Sequence, residues 1–339
     1  MRICVALLAL ACVVAGACTP AAAPSATTSP SVHIKVGIQG VGGPLEIAYR
    51  RGYFAEQGLD LEEVPFNSGA EASQALATNQ VQVGSGSPNA ATFNALGRNI
   101  DLRIVGDWSH VGSPTDTTLA LLVGKNAQDN IKSVADLKGR KLAILGAPGN
   151  VGDFFMARAL QGSGVSLSDI QVSYLGASDI LAALANGAVD AITINEPLGT
   201  QAQQQFGAKL LVPAGAVMNG SELSVLEYSP DLANNTDAAT GFMIGYLRGV
   251  RDWNAAFHDK QGTADVVNLL VQYTPIKDAN IWTTAPAWYV EPNGKINVSD
   301  LQDQLDFQIQ AGQVKSPPDL SKYVDSRFAE QAVQKLGAQ

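Results

Sequence analysis

Cysteine and histidine are almost missing from this chain. It has three of each, and the cysteines (Cys4, Cys12 and Cys18) all stand at its very start. Beyond Cys18 there is no thiol to form a disulfide, attack a substrate or build a cysteine-rich metal site. His110 has no Cys/His/Asp cluster at ligand spacing and reads as a surface loop residue, so no metal site is expected. Charge is sparse as well, at 16% of residues, with 22 Lys+Arg against 31 Asp+Glu and a formal net charge of −9. Without a basic run there is no face to neutralise a phosphate backbone, which excludes nucleic acid as a partner. The low charge also excludes a disordered acidic tail or a coiled coil. No apolar stretch approaches the roughly 20 residues needed to span a bilayer. Catalytic signatures fail too: there is no P-loop, HExxH or G-x-S-x-G. In Gly40-Val41-Gly42-Gly43, Leu45 stands where a dinucleotide fingerprint needs its third glycine. Neither a catalytic residue nor a cofactor is expected, and the chain does not read as an enzyme.

What is present begins with a short signal. Arg2 supplies a positive n-region, residues 3–14 are apolar, and Ala15-Gly16-Ala17 gives small residues before Cys18. This resembles a bacterial lipobox, with Ala15 in place of the usual Leu. Cleavage there makes Cys18 the lipid-modified first residue of an extracytoplasmic protein. Residues 18–31 are small and Pro-rich, a tether with too little apolar surface to fold. The 339-residue length leaves room for about two domains of ~100–200 residues each.

The body carries a degenerate duplication. An alternating strand, His33 to Ile38, enters the glycine-rich loop at Gly40, and a second, Arg140 to Leu145, enters Gly146 to Asn150. Each is followed by a helical stretch (45–56 and 151–161). Then Gly58-Leu59-Asp60-Leu61 matches Gly164-Val165-Ser166-Leu167, and residues 75–81 match 183–189. Matched landmarks in one order at nearly equal spacing point to two βαβ units, hence two α/β lobes with parallel sheets. The C-terminal third has long helical patterns (240–257, 264–272 and 298–310) that need a sheet to pack on, and the first lobe is the expected one. That makes the first lobe discontinuous, 32–122 and 223–339, around a second lobe, 123–222. The chain is expected to leave near Leu121-Leu122 and return near Leu223 to Leu226. Two crossings make a hinge, and a cleft opens between the lobes.

In such sheets a ligand sits beyond the carboxyl ends of the strands. The loops there supply the candidates: Gln39, Gly42, Gly43 and Pro44; Asn67 and Ser68; Ser85, Gly86 and Ser87; Gly149, Asn150 and Val151; and Asn195 and Glu196. Several open a helix, so free N–H groups and the positive end of the helix dipole suit an anionic or polar ligand without Lys or Arg. Ordinary N-capping is the alternative for any one of these side chains. Trp108 offers a ring face to a flat ligand or else belongs to the core. Glu196 is placed to meet a ligand N–H or the hinge.

These landmarks resemble the solute-binding proteins of ABC importers, in the group of nitrate, sulfonate and taurine binders and NMT1/THI5-like pyrimidine binders. Residues 44–59 (PLEIAYRRGYFAEQGL) are similar to the group's "P…A…GyF…GL" opening, and 133–141 (SVADLKGRK) to its entry into the second lobe. Val189-Asp190-Ala191 through Asn195-Glu196-Pro197 is similar to its "vDA…EP" segment, and residues 301–325 to its tail. The resemblance implies a type II periplasmic-binding-protein fold, monomeric, closing on one small-molecule ligand and delivering it to a permease and its ATPase. It also implies that the loops 39–45, 67–71, 85–89, 149–153 and 195–197 hold the ligand. The chain lacks the cysteine-rich iron motif of yeast-type pyrimidine synthases, and Gln82 stands where the group often has Asp.

Overall fold

The two matched halves of the sequence fold into two matched sheets. In a computed structural model, which describes residues 31–38, 43–66 and 69–339, the first half begins β1 (Val32–Ile38), α1 (Pro44–Arg50), β2 (Leu59–Pro65). It continues with α2 (Gly69–Ala77), β3 (Val83–Gly86), α3 (Ala90–Gly97) and β4 (Arg103–His110). The second half is β5 (Leu119–Val123), β6 (Lys141–Leu145), α4 (Val151–Leu160), β7 (Gln171–Leu175) and α5 (Ala177–Ala185). It ends with β8 (Ala191–Asn195), α6 (Leu198–Phe206), β9 (Lys209–Pro213) and α7 (Gly215–Met218). Then come β10 (Glu222–Tyr228), α8 (Pro230–Asn234), α9 (Thr236–Phe257) and α10 (Thr263–Tyr273). The chain finishes with α11 (Ala279–Thr284), α12 (Val298–Gln310) and α13 (Arg327–Leu336). The signal, Cys18, nearly all of the tether, Gln39, Gly42, Asn67 and Ser68 lie outside the described residues.

The sheets have orders β2-β1-β3-β10-β4 and β7-β6-β8-β5-β9. β1 pairs in parallel with β2 and β3, as β6 does with β7 and β8. Both sheets are nonetheless mixed, where the alternation of strand and helix predicts parallel ones. β10 runs antiparallel to β3 and β4, and β5 antiparallel to β8 and β9. The reason is the route of the chain. β5 and β10 are each the first strand after a crossing, so each enters its sheet at the carboxyl end of the parallel strands: Leu119 pairs with Asn195, and Val225 with Gly86.

The crossings are residues 111–118 and 214–221. The outward one comes before the expected Leu121-Leu122, because both leucines already lie in β5 of the second sheet. The crossings are bonded to each other, with Val111 N–H donating to the Ser221 carbonyl (2.9 Å) and Gly220 N–H to that of Val111 (2.8 Å). Asp116 closes the turn by accepting from the Gly112 and Thr118 amides and the Thr118 hydroxyl. A Cβ at Gly215 would stand 2.2 Å from the Ser113 carbonyl oxygen, so only glycine lets the two segments approach this closely.

Strand alternation places apolar residues on both faces of each sheet. On the first sheet, Ile34, Val36 and Leu226 join Ile47, Phe242, Trp253 and Phe328 beneath α1, α9 and α13. The other face packs Leu76, Phe93 and Leu96 with Leu301 and Leu305 of α12. In β6, Leu142 and Ile144 face Phe154 and Phe155 of α4, while Ala143 faces Ile180 and Leu184 of α5. Among the described residues no helix is long and apolar enough to cross a membrane.

Candidate functional site

β1 and β3 run side by side in the first sheet and β6 and β8 in the second, and most of the candidate loops start at the carboxyl ends of these four strands. Gly43 adopts φ 121 ahead of Pro44, the first residue of α1. A Cβ on Gly43 would lie 2.6 Å from the Trp288 ring, so the start of α1 rests directly on that indole. Ser85 and Gly86 finish β3, with Ser85 buried. After Ser87, Asn89 caps α3: its Oδ1 accepts from Thr92 N–H (3.0 Å) and its amide nitrogen donates to the Ser87 carbonyl (2.9 Å).

On the second sheet the loop after β6 is tied down by its own helix. Asn150 Oδ1 accepts from the Gly152 and Asp153 amides, and Asn150 Nδ2 donates to the Leu145 carbonyl. The capping alternative therefore describes the Asn150 side chain. Asp153, the last residue of the 149–153 loop that the resemblance implies, accepts from Gly149 N–H (2.7 Å) and from the Tyr174 hydroxyl (2.7 Å). Burial raises the Asp153 carboxyl above its ordinary value, against the lowering effect of those bonds. Its position three residues after Asn150 is a helix-start signal visible in the sequence; its tie to Tyr174 on β7 is not.

The two loop sets meet. Ala90 N–H, at the start of α3, donates to the Gly149 carbonyl (2.9 Å), a bond from one lobe to the other. Gln313, beyond α12, joins them: a Cβ on Gly149 would stand 2.3 Å from its Oε1 and 2.8 Å from the Ala90 Cβ. No sequence pattern singles out Gln313. Val151, the first residue of α4, is buried beside this junction.

Asn195 ends β8 opposite Leu119. Glu196 next to it bonds the outward crossing and its own helix: its N–H donates to the Thr118 carbonyl, and its Oε2 accepts from Thr200 N–H (2.8 Å). Burial pushes the Glu196 carboxyl up to about 7, opposed by the Thr200 bonds. Trp108 stacks on Tyr246 at 5.4 Å and 9°, so one ring face is spent on the first lobe's core. His110 is no free loop residue. It ends β4, and its Nδ1 is 2.7 Å from Asp107 Oδ2. Burial works against its charge, but Asp107 outweighs it and the His110 pKa is raised.

Known proteins share this fold. The family model described as NMT1/THI5 like matches residues 43–256, which run through both sheets. The chain belongs to this family. Among its relatives is a putative aliphatic sulfonates-binding protein of Bacillus subtilis (strain 168), 27% identical over 319 residues, 89% of this chain and 88% of that one. The alkanesulfonate-binding protein SsuA from Xanthomonas axonopodis pv. citri, bound to MOPS, superposes with a TM-score of 0.69 at 19% identity, covering 88% and 99% of the two chains. The nitrate-binding protein NrtA from Synechocystis PCC 6803 gives 0.74 at 14% identity, covering 91% and 89%. The desulfurization enzyme DSZB gives 0.66 at 16% identity, covering 90% and 99%, so this fold serves catalysis as well as binding. The NMT1/THI5-like chain thus has the two-lobed α/β fold of type II periplasmic binding proteins.

Proposed function

We propose that this NMT1/THI5-like protein is the lipid-anchored, extracytoplasmic substrate-binding component of an ABC importer. It captures a small polar solute between its lobes and passes it to a permease driven by an ATPase. The lobes, 32–122 with 223–339 and 123–222 apart from the exact crossing points, move about the paired crossings, and ligand binding favours the closed arrangement. The observation that carries this reading is the Ala90–Gly149 hydrogen bond, which joins a strand-end loop of one sheet to a strand-end loop of the other. Family membership and the sulfonate-binding relative support it.

The leading ligand class is a small organic sulfonate or a related oxyanion. Ser87, Val151 and the backbone at Gly43 and Pro44 are the proposed contacts, with Gln39, Gly42, Asn67, Ser68, Ser85, Gly86, Gly149, Asn150 and Asn195 shaping the same proposed site. A second reading rests on Glu196 and on Trp108, a half-buried ring with one face stacked on Tyr246. A buried carboxyl beside β8 suits a ligand that brings N–H donors, as a pyrimidine does. An enzyme on this fold is the less favoured alternative: no cysteine follows Cys18, and Asp107 engages His110.

Thermal shift against taurine, alkanesulfonates, nitrate, aromatic acids and pyrimidines tests the proposal. A true ligand at a hundredfold its Kd adds about 2.7 kcal/mol, enough to raise the melting temperature by several degrees. Stabilisation by sulfonates but not pyrimidines is expected; the reverse selects the second reading, and a flat response to every compound counts against transport.

A further inference from the structure

β10 opens with Glu222 at the point where the chain returns to the first sheet, and the Glu222 carboxyl lies beside that of Asp107 on β4. Both are sealed from solvent: Asp107 is 0% exposed and Glu222 2%. Asp107 Oδ2 is occupied by His110 Nδ1 and by the Glu291 amide (both 2.7 Å). Glu222 Oε1 accepts from the Asn297 amide (2.6 Å). The other oxygen of each carboxyl, Asp107 Oδ1 and Glu222 Oε2, is buried without a donor. Glu222 stands opposite His110 in the β10–β4 register, and His110 bonds Asp107, so the two carboxyls adjoin.

Two ionised carboxylates in this place would repel each other and leave two buried acceptors unmet, each costing about 1–3 kcal/mol. A single hydrogen removes both defects. We propose that Glu222 and Asp107 share one proton, with Glu222 Oε2–H donating to Asp107 Oδ1, and that this carboxyl–carboxylate bond fixes the return crossing to β4. Nothing larger suits the gap, since both oxygens are closed off from water. Among the described residues no group of three or more His, Cys, Asp or Glu could hold a metal ion.

The surrounding charges fit this state. On β4, His110 supplies the cation opposite Asp107. From α9, the Tyr246 hydroxyl donates to the Asp107 carbonyl (3.0 Å). From α12, the Asp300 carboxylate accepts from the Glu222 amide (2.8 Å) and from Gln304 Nε2 (2.7 Å), which fixes it facing the pair. Glu291 and Lys295 line the cavity of about 460 Å³ outside Glu222 and His110. Asp116 of the outward crossing and Glu291 add their charge to His110. Burial first, then the negative charge of Asp107, push Glu222 up to about 10, against the lowering bond from Asn297. A proton held in the folded state but released by the unfolded chain contributes stability at low pH and loses it as pH rises towards that value. Alkaline conditions therefore loosen the hinge through this pair.

Infrared spectroscopy of the full chain tests this at about pH 9, where carboxyls titrating near neutrality have ionised. That removes Glu63, Glu196 and Glu227, each pushed up to about 7. One protonated-carboxyl C=O band is expected, shifting in D2O and missing from Glu222→Gln, whose amide supplies the same donor. A wild-type spectrum without the band overturns the proposal, and this arm needs no variant to fold. In unfolding experiments between about pH 6 and 9, the wild-type unfolding constant should rise relative to the variant by about tenfold per pH unit. Parallel pH curves for the two proteins overturn it equally.

Discussion

Glu227 shows how much one buried side chain decides. It is the penultimate residue of β10 and is 5% exposed. Burial raises its carboxyl from 4.5 to about 7, with the Thr92 hydroxyl pulling the other way. The native state thus holds a proton that the unfolded chain releases across this window. Stability is complete below about pH 4.5 and declines as pH rises through about 7. We predict that Glu227→Gln stabilises the fold at about pH 8 by on the order of 3 kcal/mol, read as a higher melting temperature, and has little effect at about pH 4. Equal gains at both pH values in differential scanning calorimetry would contradict this. At this scale the sequence was partly legible. Asn150 stands at a helix start, and the structure spends its side chain on capping. Glu227, Asp107 and Glu222 carry no local signal, because their burial comes from strands that meet only after the chain has crossed between lobes twice.

Elements were more legible than their partners. The helix predicted over 298–310 is α12 with the same bounds, because Leu301, Leu305 and Gln308 repeat at helical spacing along one buried face. The stretch predicted as one helix over 45–56 instead stops at Arg50, and a short 3-10 turn follows between Gly52 and Gly58, both at positive φ. What α12 touches could not be read from its periodicity. Leu301 and Leu305 root it in the first lobe, while the Phe307 ring meets Phe154 of the second edge-on at 5.6 Å and 64°. The nearby Arg158–Asp303 pair, at 3.4 Å, is mostly exposed and contributes little. An edge-to-face aromatic contact is worth roughly 1 kcal/mol beyond its buried area. We predict that Phe307→Ala shifts the lobes towards an open arrangement by about fivefold. Small-angle scattering should record a larger radius of gyration, with ligand retention reduced and Asp303→Ser nearly silent. An unchanged radius would mean that α12 does not help hold the lobes together.

For the whole molecule, the duplication was the readable part. Its landmarks correspond to β2-β1-β3 and β7-β6-β8, the parallel portions of the two sheets. The antiparallel strands were hidden, because β5 and β10 owe their direction to the crossings rather than to any residue pattern. The proposed attachment also belongs to this scale. Cys18→Ser is predicted to move the protein from the membrane fraction to the soluble fraction without changing its melting temperature; persistence in the membrane pellet would argue for another means of attachment.

The position of β10 also sets an order of assembly. It lies between β3 and β4, and Val225 pairs with Gly86 across the second lobe's whole length of chain. A nascent chain leaving the ribosome can complete the second sheet from one uninterrupted segment. The first sheet, though begun earlier, must leave β4 without its neighbour until β10 has been synthesised. The half that starts first therefore finishes last.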